Sequence, residues 1–276
     1  MTLWHSIISA LPFEWARYTF MANALLAVLV MSPVFAMLGC MVVNNRMAFF
    51  SEAIGHAALT GIAIGAIAGL GDPSWSVIGF GLLLAVAICA LRRYSAASTD
   101  TIIGLTMAFT VALGVVLLSR GGGFSKYSRY LVGDVLTITP DEILQIVLLL
   151  VLVLACLTVF FNRIFVVSLN RTLAQSRGMR VWMLEAVFMA LVALVVTSSI
   201  SWVGLLVINS LLIIPAAAAR NLTRSTPAYM GVATVISIVS GVSGLIASYY
   251  WSTATGATIV LFAMVFFLIS LPLRRR

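Results

Sequence analysis

The chain has 276 residues, of which 62% are hydrophobic and only 9% charged, with mean hydropathy +1.15 and a net charge of +8. A soluble domain is nearer half apolar and a quarter charged, so there is too little polar surface here to cover a globule in water. A soluble enzyme, a secreted disulfide scaffold and a disordered tail are excluded, which leaves an all-α, polytopic helical membrane protein.

A bilayer is crossed by about 20 apolar residues in helical form. Nine segments qualify in chain order: 18–43, 48–70, 75–91, 101–119, 143–161, 181–199, 203–219, 228–249 and 256–271. The seventh is short and follows the sixth after Ile200, Ser201 and Trp202, so eight or nine crossings are expected, in one transmembrane domain over 1–276. Two connections exceed a tight turn. One, 120–142, carries Gly121, Gly122 and Gly123 together with Tyr127, Tyr130 and Asp134. The other, 162–180, contains a polar-apolar stretch from Leu169 through Leu173 and Ala174 to Arg177, followed by Gly178, which fits a short helix with a glycine C-cap.

The basic residues stand in gaps between apolar runs, so they read as topology determinants rather than as a nucleic-acid surface, and no nucleic-acid partner is expected. With Arg274, Arg275 and Arg276 placed in the cytoplasm and nine alternating spans, twelve of the sixteen basic residues fall inside; Arg17, Arg120, Lys126 and Arg129 fall outside. A cytoplasmic C-terminus follows, and 162–180 becomes the longest inside connection. The three cysteines (Cys40, Cys89 and Cys156) each lie within an apolar run, without the spacing of a zinc site or a redox pair, and read as packing residues.

Ionisable groups inside spans are costly and usually functional. In Ser51-Glu52-Ala53-Ile54-Gly55-His56-Ala57, Glu52 and His56 are four residues apart and share one helix face. A carboxylate oxygen beside an imidazole nitrogen suits a borderline divalent cation such as zinc, manganese or iron. On spacing alone, a hydrogen-bonded pair that only fixes helix packing is the commoner arrangement. Ala53, Ala57, Gly61, Gly65 and Gly69 recur every four residues on the neighbouring face, a ridge that lets another helix approach closely. Asp100, at the start of the fourth span, reads as a helix-terminal charge, and Asp134 as a loop cap. Asn209, Ser210 and Pro215 interrupt the seventh span; the proline can kink or break the helix, and broken helices line routes in transporters. No Walker A, Gly-x-Ser-x-Gly or His-Glu-x-x-His sequence occurs, so no catalytic residue is assigned and ATP hydrolysis by this chain is not expected.

Taken in order, five segments resemble the permease subunits of metal-ion ATP-binding-cassette importers, the group carrying zinc, manganese or iron, and look closest to the zinc-uptake permeases. They are the run from Arg46 to Gly61, Asp100-Thr101-Ile102-Ile103-Gly104, Tyr130-Leu131-Val132-Gly133-Asp134-Val135-Leu136, Ser210 to Arg220, and Thr255-Gly256-Ala257-Thr258-Ile259-Val260-Leu261. The family's usual Gly-Asp-x-x-Ser/Ala-His motif is represented by Ser51, Glu52, Gly55 and His56, with a carboxylate one methylene longer. Its Asp-x-Pro sequence before the last span is replaced by Ser252, Thr253 and Ala254.

The resemblance implies a transport subunit of a bacterial-type cytoplasmic membrane, with no permanently bound cofactor. It implies that Glu52 and His56 contact the ion in transit, and that two permease copies pair. It further implies that cytosolic subunits hold the ATP and dock at the segment Leu169 to Arg177, and that an extracytoplasmic binding protein delivers the metal. A transport site is expected near the bilayer midplane. In a span starting at Ala48, Glu52 lies only about 6 Å in and His56 about 12 Å, so either the helix starts earlier or the ion sits inward of centre.

Overall fold

A computed structural model describes Trp4, Ile8, residues 12–121 and residues 133–273, without the side chains of Arg120 and Leu169. Ten α-helices occur among the described residues: α1 (Thr19–Asn44), α2 (Phe50–Ile67), α3 (Ser74–Tyr94), α4 (Thr99–Gly121), α5 (Pro140–Leu169), α6 (Arg171–Ser176), α7 (Val181–Val203), α8 (Leu205–Leu222), α9 (Thr226–Trp251) and α10 (Thr255–Ser270). Eight of them are long and apolar enough to cross a membrane; α10, at 16 residues, is shorter. Tyr127 and Tyr130, Gly122 and Gly123, and Arg274 to Arg276 lie outside the described residues.

The helix ends follow from local chemistry. Thr139 and Glu142 close a reciprocal capping box at the start of α5: the Thr139 N–H donates to Glu142 Oε2 at 2.8 Å, and Pro140 takes the first helical position. Asp134 caps a 3-10 turn, accepting the Leu136 N–H at 3.0 Å. At α4 the cap is Ser98, whose hydroxyl accepts the Thr101 N–H at 3.2 Å, while Asp100 lies exposed in the first turn. Gly69 (φ +70°) is not part of the small-residue ridge. It lies past the end of α2, where the Leu70 N–H reaches Gly65 O and the Gly69 N–H reaches Ala66 O, the two bonds of a Schellman stop.

The described residues fall into two compact units. The first comprises Met1–Cys40, Gly133–Leu154 and Trp202–Arg276. In it α8, α9 and α10 pack on one another. Hydrocarbon gives no hydrophobic force between apolar helices, so contact depends on close approach and a few polar bonds. An added Cβ on Gly244 would lie 2.6 Å from Ile259 Cα, and one on Gly39 would collide with the Leu212 carbonyl. Ser237 Oγ donates to Ser32 O at 3.1 Å, Asn221 Nδ2 to Ser270 Oγ at 3.0 Å, and Asn23 Nδ2 to Ile138 O at 3.3 Å.

The second unit comprises Met41–Val132 and Ala155–Ser201. Here α2 packs on both α3 and α4. The small residues of α2 account for the first contact: a Cβ on Gly61 would lie 2.7 Å from Val77 Cα, and Gly65 abuts Ser76. On the other side Thr60 donates to the Thr110 carbonyl, and Gly114 leaves room for Thr60. As a result α2 is the most enclosed of the spanning helices.

Two expectations are corrected. The connection expected over 162–180 is largely helical: α5 continues to Leu169, and Asn170 alone separates it from α6. The expected interruption at Pro215 is absent, since α8 runs helically through it; proline fixes φ near −65°, a helical value, and only its N–H is lost. The interruption lies instead at Gly204, the single residue between α7 and α8, with φ +82° and ψ 154°. That combination is essentially restricted to glycine. Replacing Gly204 with alanine is expected to cost about 1–3 kcal/mol, read as a lowered thermal midpoint of the purified protein; an unchanged midpoint would show that the backbone escapes the strain.

Candidate functional site

The candidate site is built by a chain reversal. Helix α1 ends at Asn44; the Arg46 N–H bonds Val43 O and the Met47 N–H bonds Val42 O, with Arg46 in the left-handed region at φ +54°. This is the same stop that closes α2, made with arginine where glycine is usual. The Phe50 N–H then bonds Met47 O and α2 begins. Glu52 falls in its first turn, where the helix dipole favours negative charge. His56 follows one turn later. The helix starts after Ala48, not before it, so the pair sits at its N-terminal end, with Glu52 about 3 Å and His56 about 9 Å along its axis.

From Phe50 to Ala63 every residue of α2 is buried except two: Glu52 and His56, whose side chains are 38% and 39% exposed. The ridge residues Ala53 and Ala57, one position on, are fully enclosed. The helix therefore packs on all sides but one, and the open side carries its carboxylate and its imidazole. Glu52 Oε1 and His56 Nε2 stand 4.0 Å apart, too far for a hydrogen bond. Two ligands on one tetrahedral ion at about 2.0–2.1 Å would stand about 3.3 Å apart, so closing on a cation takes a side-chain shift of about 0.7 Å. Among the described residues no group of three or more His, Cys, Asp and Glu side chains gathers where it could hold a metal. The pair offers two ligands, and water or uncharged oxygens must complete the shell.

The other expected residues are placed separately. In the first unit, Ser210 is buried and spends its hydroxyl on Val207 O at 3.0 Å, and Pro215 is buried in the middle of α8. Asn209 differs: its Oδ1 is buried without a hydrogen-bond partner, a condition that costs about 1–3 kcal/mol. Of the three residues it alone has a buried side-chain polar atom with no hydrogen-bond partner.

In the second unit, α6 is closed at both ends. Asn170 Oδ1 accepts the Leu173 N–H at 3.1 Å, and Gly178 (φ +70°) receives the chain after Arg177, with the Met179 N–H on Ala174 O. Leu173 is 45% exposed, whereas Ala174 is wholly buried and cannot serve as a docking contact in this chain. Leu169 is the last residue of α5, and its side chain lies outside the described residues. Arg171 anchors α6 to α7 through a two-point contact with Glu185.

The sequence matches the ABC 3 transport family over residues 17–274. It is 34% identical over 258 residues to the high-affinity zinc uptake system membrane protein ZnuB of Haemophilus influenzae, covering 92% of this chain and 97% of that one. It is 30% identical over 253 residues to the manganese import system permease protein ScaB of Streptococcus gordonii, covering 92% and 91%. PsaBC from Streptococcus pneumoniae, solved in complex with Fab, superposes with a TM-score of 0.78 at 30% identity, over 98% of this chain and 95% of that chain.

Proposed function

The chain belongs to the ABC 3 transport family, and from that premise we propose that it is the membrane permease of a metal importer that carries zinc into the cytoplasm. The observation that carries the choice of site is the single open strip on α2, with Glu52 and His56 one turn apart and 4.0 Å from each other. A carboxylate offsets part of the ion's charge, and a neutral imidazole supplies a nitrogen that zinc accepts readily. Two protein ligands make a weak site, and weakness is what release on the far side needs. The transported ion is cargo and no permanently bound cofactor is required. The chain is a transport component, and ATP hydrolysis belongs to a separate subunit.

Zinc is preferred over manganese because the histidine is half of the protein's ligand set, and manganese favours an all-oxygen shell. The manganese reading draws on the 30% identity to ScaB; iron is the third cargo of the same class. Uptake of radioactive zinc against excess manganese or ferrous iron tests the choice: competition by zinc alone supports it, and stronger competition by manganese overturns it.

The proposed assembly has two copies of this chain, two cytosolic ATP-binding subunits and an extracytoplasmic metal-binding protein, with the C-terminus in the cytoplasm. The ATP-binding subunit docks on α6, through the exposed Leu173, with Arg177 and Gly178 shaping the turn. Leu173→Asp puts a charge on that surface without disturbing buried packing. It is expected to reduce co-purification of the ATP-binding subunit at least about tenfold and to stop uptake while membrane insertion stays normal. Full assembly with full uptake would move the docking surface elsewhere.

A further inference from the structure

A pocket of about 460 Å³ opens within the second unit, where the last turn of α3 meets α6 and the first turns of α7. Four guanidinium groups line it, from Arg92, Arg93, Arg171 and Arg180, against one carboxylate, that of Glu185. Glu185 is already engaged by Arg171, with Nε on Oε1 at 2.8 Å and Nη2 on Oε2 at 2.5 Å. Neither Arg92, Arg93 nor Arg180 has a carboxylate within ion-pair distance among the described residues.

Arg92 is the most telling of the three. It is partly buried, and its Nη1 donates to the sulfurs of two buried methionines, Met47 at 3.3 Å and Met189 at 3.8 Å. A thioether is a weak acceptor, so most of this donor fork is unmet in a setting where an unmet charge is costly. Arg180 Nη1 likewise reaches only Met183 Sδ, at 3.9 Å. Arg93 lies over the Trp182 ring at 5.8 Å and the Tyr94 ring at 5.7 Å. The pocket therefore holds three unbalanced positive charges in a shape that suits a multi-oxygen anion, and phosphate is the anion whose geometry a guanidinium fork meets with two bonds.

Next to the pocket, α3 carries exposed apolar side chains, among them Leu83, Val86 and Leu91. On α3, Leu83 and Tyr94 lie three turns apart on one face, both exposed, Tyr94 to 81%. Trp182, which lines the pocket and lies under Arg93, is exposed at the start of α7. Tyrosine and tryptophan at the ends of spanning helices mark the boundary between hydrocarbon and water. An anion carrying acyl chains matches both halves of the surface, with its phosphate among the arginines and its chains along α3. A soluble anion or an acidic protein side chain would leave the apolar strip unused.

We infer that this pocket binds the headgroup phosphate of an anionic phospholipid. The inference depends neither on which metal is carried nor on which side of the membrane α6 faces.

Native mass spectrometry of the full chain, purified without its ATP-binding partner and titrated with phosphatidylglycerol or phosphatidylcholine, tests it. Phosphatidylglycerol is expected to be retained at about tenfold lower concentration than phosphatidylcholine. Arg92→Gln and Arg180→Gln are each expected to weaken phosphatidylglycerol retention about tenfold and leave phosphatidylcholine unchanged, with partial recovery in Arg92→Lys. Arg180 is exposed, so its variant carries the test should Arg92→Gln fail to fold. Equal retention by the parent and both variants overturns the site. Displacement of the lipid by millimolar inorganic phosphate alone reassigns the pocket to a soluble anion. Unchanged lipid retention by the variants, with loss of the ATP-binding subunit in a separate co-purification, reassigns it to a protein contact. Both reassignments overturn the lipid assignment.

Discussion

If the proposed site is right, zinc uptake is expected to be lost when His56 becomes alanine and to fall severely when Glu52 becomes glutamine. Losing even an outer-shell partner of a metal ligand typically costs 10–100-fold, and this substitution removes one of the two proposed protein ligands, so a loss of at least about 100-fold is expected for His56→Ala. Glu52→Gln keeps the shape and one oxygen but removes the charge that offsets the cation. Glu52→Asp restores the acid of the family motif on the same helix face, and is expected to keep much of the activity.

Because both side chains are well over a third open, these substitutions leave no buried cavity, and thermal stability is expected to be unchanged. That separation is the strength of the experiment. Uptake into liposomes or cells is measured alongside the thermal midpoint and assembly with the ATP-binding subunit. Parent-like transport by both His56→Ala and Glu52→Gln would make the pair a packing element and move the ion elsewhere. A drop in stability with a matching drop in uptake would have the same meaning.

The largest structural effect is expected at Gly39. A methyl group there would run into the backbone carbonyl of Leu212, on α8. Side chains can swing away from an intruder; a helical backbone carbonyl cannot, so α1 and α8 would have to separate. Overpacking ordinarily costs about 1–3 kcal/mol, and a backbone collision belongs at or above the top of that range. Gly39→Ala is expected to lower the yield of folded protein sharply. Gly231, in α9, has nothing within 4 Å of an added Cβ. Gly231→Ala is expected to be neutral or to stabilise by about 0.5–1 kcal/mol, since glycine is a poor helix former. Fluorescence-detected size-exclusion of both variants makes the comparison, and a Gly39→Ala protein as stable as Gly231→Ala would refute the close contact.

The helices were legible because apolar run length alone marks a membrane crossing, and every expected span has a helix over it. Their ends were less so. The apolar run of α5 is interrupted after Phe161 by Asn162 and Arg163, yet the helix goes on through Ile164 to Leu169, because two polar residues lower helix propensity without stopping a helix already formed. Gly69 fitted a four-residue spacing and was counted into a packing ridge, although its backbone ends the helix; sequence spacing cannot distinguish a glycine chosen for having no side chain from one chosen for its positive φ.

Proline was the wrong signal for the break next to α8, and Gly204 the right one. The Glu52–His56 pair was visible from four-residue spacing, but not its openness within a sealed helix, which depends on α3 and α4. Nor could the sequence bring Arg92 and Arg180, nearly ninety positions apart, to one pocket. Each had been explained singly as a topology determinant, and only the fold shows that they converge.

The two extremes of helix length have a further consequence. At 1.5 Å per residue, the 16 residues of α10 reach about 24 Å, while the 30 residues of α5 reach about 45 Å. A hydrocarbon layer of about 30 Å fits neither. A helix as long as α5 absorbs its excess by leaning or by standing proud of the surface, whereas one as short as α10 is accommodated by thinning the bilayer, by snorkelling flanks or by packing on a second chain, with exposed Leu271 and Leu273 extending its apolar surface at one end. If α10 crosses the bilayer, its mismatch costs more as the acyl chains lengthen, so uptake is expected to fall when the protein is reconstituted in longer-chain lipid. The spread of helix lengths within one chain thus makes bilayer thickness a variable to which this permease is expected to respond.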